Sequence, residues 1–147
     1  MAPGMIIKGT STYNGQQYAT KVYVYMDFRT QYWWFAVNTK DEVLGYWPSI
    51  IFNNFERASQ ALFGGYVYDA NLVQPPMGSG HMPSEGVNKA AYIRTMKVLP
   101  GGGTPKIIEP EMLEVTKIGS DCYGIGTVDY RGPPFEYTFF YGGPGNC

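Results

Sequence analysis

The chain has 147 residues, with 11 Lys+Arg against 12 Asp+Glu, one His and 13 Tyr, a length that suits one domain. The net charge of −1 and the lack of any Lys/Arg run exclude the basic footprint of a nucleic-acid binder, and no stretch approaches the roughly 18 apolar residues a membrane helix needs. A 16% aromatic share argues against disorder, and 19 Gly with 11 Pro imply many turns and an all-β chain.

The opening Met1–Lys8 has neither the basic segment nor the long apolar run of a secretory signal. Met5 to Lys8 reads as a short strand, and Asn14-Gly15 as a hairpin turn. Gln17 to Asp27 alternates, with Lys21, Tyr23 and Tyr25 on one side and Val22, Val24 and Met26 on the other. Phe28 to Gln31 is a turn. Tyr32 to Val37 is a second strand, aromatic on both faces and so expected to be covered on both. After a turn at Thr39 to Asp41, Glu42 to Trp47 forms a third strand that Pro48 ends. Three strands with short turns make an antiparallel meander.

One segment reads as helix, from Ile50 to Leu62. Ile51, Phe55, Ala58 and Leu62 fall at helical spacing, and Gly64-Gly65 stops the run. Tyr66 to Tyr68 resumes extended structure. Asp69 to Gly86 is a long loop of the kind that often carries function. Ala90 to Leu99 reads as one strand with Tyr92, Arg94, Met96 and Val98 on a common face, and Gly101 to Gly103 as a turn. Pro110 restricts Ile107 to Ile118 to a sheet edge or a loop. Tyr123 to Tyr130 and Phe135 to Tyr141 form a closing hairpin across Arg131 to Pro134.

The chemistry on offer is limited. One His and two Cys do not supply the three or four ligands of a zinc site, so no metal is expected. His81 is either a loop histidine bonded to backbone or a cleft residue. Ser79 lies too close to it in sequence to build a serine triad, and Met77 to Gly80 lacks the lysine and the strand-to-helix setting of a phosphate loop. Among the carboxylates, Glu85 beside the long loop is the best cleft candidate for acid–base work. Trp33, Trp34, Tyr46 and Trp47 offer stacking surfaces, either as core or as the lining of a sheet face that takes an extended peptide or a glycan.

Several motifs coincide with one family. Val43 to Ser49 reads VLGYWPS, Phe63 to Gly65 reads FGG, and Pro76 to His81 reads PMGSGH. Asp121-Cys122-Tyr123 follows, and Tyr141 to Cys147 reads YGGPGNC. Gly15 to Tyr18, Tyr32 to Trp34, and Lys89 to Tyr92 with Arg94 agree as well. In order and spacing these resemble the neprosin domain of plants, over nearly the whole chain but only the C-terminal part of a full family member. The resemblance implies a secreted, proline-directed glutamic endopeptidase fold: an antiparallel β-sandwich, no cofactor, and one glutamate as base to a water with a second as acid. It places a Cys122–Cys147 disulfide. It also puts the family's first catalytic glutamate upstream of this chain and the second at the WGGEV motif, which here reads Phe63-Gly64-Gly65-Tyr66-Val67. Tyr66 would then lie on the cleft floor, where a phenol is far too weak an acid to replace a carboxylate. An inactive, partial sandwich is therefore expected, with a proline-containing peptide or glycan as ligand. Its unpaired sheet edge would invite self-association. Extracellular placement follows from the resemblance alone.

Overall fold

The computed structural model describes residues 9–52, 57–68, 70, 73–117 and 121–147. They divide between two compact units, one within Met1–Ser11 and Gln17–Ala61, the other within Thr12–Gln16 and Leu62–Cys147. The strand expected at Met5 to Lys8 lies outside the described residues.

In the first unit, β1 (Val22–Asp27), β2 (Tyr32–Val37) and β3 (Val43–Trp47) form the expected antiparallel meander in the order β1-β2-β3. Local polar groups set its turns. The Asp27 carboxylate accepts the Arg29 N–H at 2.9 Å and the Thr30 hydroxyl at 3.1 Å. Gln31, at φ +61°, returns the chain to β2. Asn38, at φ +55°, opens the second turn and donates its side-chain amide to Glu42 at 3.1 Å, using the tolerance of Asn for the left-handed region. A register shift between Phe35 and Ala36 bends β2. Cover of β2 is complete only at its end: Ala36 and Val37 are buried, while Tyr32 to Phe35 are half-buried.

The expected helix is not formed. Pro48 leads into a single 3-10 turn at Ser49–Ile51, and Phe52 is already extended at φ −112°, ψ 127°. Residues 57–62 carry no helix, and residues 53–56 lie outside the description. Ile51 and Leu62, at the two ends of the apolar stripe, are exposed, so neither end is buried against a surface. A short helix without tertiary packing does not hold in water, and Asn53, Asn54 and Ser59 add weak helix formers.

The second unit begins with β4 (Ala91–Arg94), followed by β5 (Lys97–Val98), β6 (Lys106–Ile107), β7 (Gly124–Ile125), β8 (Asp129–Tyr130) and β9 (Tyr137–Gly142). β9 is the hub, pairing antiparallel with β4, β7 and β8, while β5 pairs with β6. The closing hairpin is thus present, interrupted where Thr127 and Val128 together oppose Phe139 between the Gly126–Phe140 bond and the Asp129–Thr138 pair. This is a β-bulge. The single strand expected over Ala90 to Leu99 is broken at Thr95, whose φ is +56°. That kink moves Met96 off the face of Tyr92 and Arg94 and into the core with Ile108 and Phe139, against Phe63, Ile93, Leu113, Ile125, Val128 and Tyr141.

The Cys122–Cys147 disulfide is present, with Cα atoms 5.5 Å apart. It anchors a tail that also holds the long loop. Asn146 N–H donates to Gln74 O at 3.0 Å, Tyr123 hydroxyl to Pro75 O at 2.8 Å, and Met77 N–H to Gly143 O at 2.9 Å. The loop is therefore tied at Gln74, Pro75 and Met77 rather than structureless.

Candidate functional site

The richest polar cluster of the second unit is built from two short turns. Met82 leads into a 3-10 turn at Pro83–Glu85, where Pro83 supplies a preset φ at the first position, and Gly86, at φ +70°, ends it. This tight path brings His81 and Glu85 together, with Nδ1 3.0 Å from Oε1. An ionised carboxylate only accepts, so the Nδ1–H donates. The other turn is the expected Asn14-Gly15 turn: Thr12 N–H donates to Gln16 O and Gly15 N–H to Thr12 O, each at 3.0 Å, with Asn14 at φ +53°. Among the described residues no ladder strand adjoins it, and Asn14 N–H donates instead to Asn88 O at 2.8 Å.

Tyr13, between these bonds, completes the cluster. Its hydroxyl donates to Glu85 Oε2 at 2.9 Å. Its ring lies 4.3 Å from the His81 ring, and Lys89 Nζ sits 5.7 Å from its centre. Both Glu85 oxygens are thus engaged. The Tyr13 hydroxyl first, then His81, hold the Glu85 carboxyl below the usual range, and Glu85 in turn raises the Tyr13 phenol. Such a carboxylate is a fixed anion and a weak base. Two carboxylates facing one another push one of the pair upward instead, and among the described residues no second carboxylate acts on Glu85.

Beside this cluster runs an open groove of about 470 Å³, lined by Met82, Pro83, Gly124, Gly126, Thr127 and Arg131 among others. Arg131 lies 5.0 Å over the Phe140 ring and 3.7 Å from Asp129. Glu85 turns away from the groove toward Tyr13.

The aromatic candidates of the first unit divide between two faces. Trp34 stands opposite both Tyr25 and Tyr46, and Tyr32 stacks on Tyr46 at 4.9 Å and 3°. Trp33 and Trp47 pair on the reverse face, where Phe35 lies 6.1 Å from Trp47. Tyr46 is 52% exposed, so the tyrosine-rich face meets solvent. Tyr66 is not on a cleft floor: it is 86% exposed and in no strand. Its neighbour Gly65 presses on Met77 and Tyr141, leaving no room for a Cβ, and the chain then turns the next side chain outward.

Sequence reasoning named His81 and Glu85 separately, and the fold joins them. It missed Tyr13, whose only sequence signal is its place before Asn14-Gly15. Among the described residues no group of three or more His, Cys, Asp or Glu is placed to hold a metal. A family model described as Neprosin matches residues 1–144. With the antiparallel sheets and the tail disulfide that the motifs implied now in view, this match over nearly the entire length makes the chain a member of the Neprosin family.

Proposed function

We propose that this neprosin-family domain binds proline-containing peptide outside the cell without hydrolysing it. The observation that carries this reading is the state of Glu85. Its two oxygens are satisfied by Tyr13 and His81, and the carboxyl is held low rather than raised toward the range of a general acid. Tyr66 stands where the family resemblance puts a glutamate. Its exposure would leave even a restored carboxylate in water, without the burial or the apposed charge that tunes a catalytic pair. Peptide binding is favoured by the aromatic face of Tyr25, Tyr32, Trp34 and Tyr46, half-buried except at the exposed Tyr46, since proline-rich segments dock on aromatic surfaces with little entropy left to lose. Extracellular placement agrees with the disulfide and with the family.

The test is incubation of the purified chain with a proline-containing peptide at acidic pH. The peptide should remain intact, and titration should show binding that Tyr46→Ala weakens roughly tenfold. Tyr66→Glu should not produce cleavage. Turnover by the unmodified chain that Glu85→Gln abolishes would overturn the non-hydrolytic reading. Binding of oligosaccharide in place of peptide would reassign the ligand to glycan.

A further inference from the structure

Among the described residues, the outer edge of the first unit's sheet carries backbone groups with no ladder partner. In an antiparallel ladder, successive residues alternate between bonding toward the neighbouring strand and away from it. Two bonds fix the phase in β1. Asn38 N–H donates to Lys21 O at 2.9 Å, making these two a hydrogen-bonded pair. Val37 N–H donates instead to Glu42 O at 3.2 Å, on the β3 side. Since Val22 opposes Val37, Val22, Val24 and Met26 turn their N–H and C=O groups away from β2. Among the described residues, β1 pairs with β2 alone. Nor is this edge blunted. It reads Val-Tyr-Val-Tyr-Met-Asp with no Pro, Gly or Lys, and Val22 and Val24 are 60% and 56% exposed. Edges that stay solitary usually carry charge, proline or a bulge.

We propose that this edge docks a second copy of the chain, β1 against β1, antiparallel and centred on Val24. The register follows from the residues. Outward-bonding positions must meet outward-bonding positions, so Val24 opposes Val24 of the second copy and Val22 opposes its Met26. One face then brings together Val22, Val24 and Met26, and the other sets Tyr23 opposite Tyr25. The same register sets Lys21 opposite Asp27 of the second copy at each end, joining the two charged residues that bracket the strand. Asp27 already accepts from the Arg29 N–H and the Thr30 hydroxyl, and its carboxylate retains lone pairs for an ammonium. The contact is isologous and closes on itself, giving a two-fold dimer rather than a fibre.

Sedimentation equilibrium of the whole chain should show mass doubling reversibly with concentration. Val24→Pro removes an outward N–H and no bond to β2, and Lys21→Glu sets like charges opposite each other. Each should weaken association at least tenfold. Should the proline variant misfold, Lys21→Glu alone decides. Both native cysteines are in the disulfide and none is free, so an introduced thiol reports by itself. Val24→Cys sits on the two-fold axis, where paired Cα atoms lie about 5.5 Å apart, within disulfide reach. It should cross-link on oxidation, whereas Val43→Cys on β3 should not. A chain that stays monomeric at high concentration overturns the proposal. So does a dimer indifferent to Lys21→Glu, or one that fails to cross-link through Val24→Cys.

Discussion

Glu85 shows how one side chain can set the pH range of a local structure. Its carboxyl is held below the usual range, chiefly by the Tyr13 hydroxyl, and the Tyr13 phenol is held above its own by Glu85. For a group whose folded value is depressed, the stabilisation is complete above the ordinary carboxylate range and is lost as pH falls through the folded value. For the raised phenol it is complete below about pH 10 and is lost as pH rises through the folded value. The docking of residues 12–16 should therefore hold between these limits and loosen at both. Hydrogen exchange at the Asn14 amide, which donates to Asn88 O, reads this directly. Tyr13→Phe should speed that exchange near neutral pH and flatten its acid limb. An unchanged limb would mean that Glu85 does not control the turn. Nothing in the sequence pairs Tyr13 with Glu85, because period and motif report neighbours along the chain, and this bond spans 72 positions. His81 and Glu85 were legible one by one, as the lone histidine and as the carboxylate beside the long loop, but their contact was not.

At the scale of elements, the glycines of β3 and β7 predict opposite responses to the same change. A Cβ at Gly124 would lie 3.0 Å from the Pro83 ring and 3.2 Å from Met82 Cε, so Gly124→Ala should destabilise by about 1–3 kcal/mol through overpacking. Gly45 has nothing within 4 Å of the same position. Gly45→Ala should therefore stabilise by about 0.4–1 kcal/mol by restricting the unfolded chain. Thermal unfolding of the two variants should shift in opposite directions. The meander β1-β2-β3 was legible because alternation and turn residues are local. The helix over Ile50 to Leu62 was misread because helical spacing reports only that a stripe exists, and here Leu62 is 94% exposed with no partner surface. The break at Thr95 was equally hidden. A threonine at φ +56° is held there by its bonds to the Tyr137, Pro134 and Phe135 carbonyls, all distant in sequence.

At the scale of the molecule, the disulfide closes a separation of 25 residues, which the chain-entropy model values at about 3 kcal/mol. Cys122→Ala should lower the unfolding midpoint accordingly, and reductant should add no further loss in that variant. A larger effect of the substitution than of reductant on the wild type would locate part of the stabilisation in packing around the buried sulfur. The Tyr13 turn bears on the molecule in another way. Synthesis proceeds from the N-terminus, so β1, β2 and β3 leave the ribosome with every strand they pair with, while Tyr13 must wait for Glu85 to emerge 72 residues later. The turn at 12–16 thus closes as a late event over a loop whose ends meet only after most of the chain is made. During that interval the turn is untied, giving proteases a period of access to its backbone that ends when the Asn14–Asn88 and Tyr13–Glu85 bonds form, although the Tyr13 ring stays 52% exposed in the finished protein.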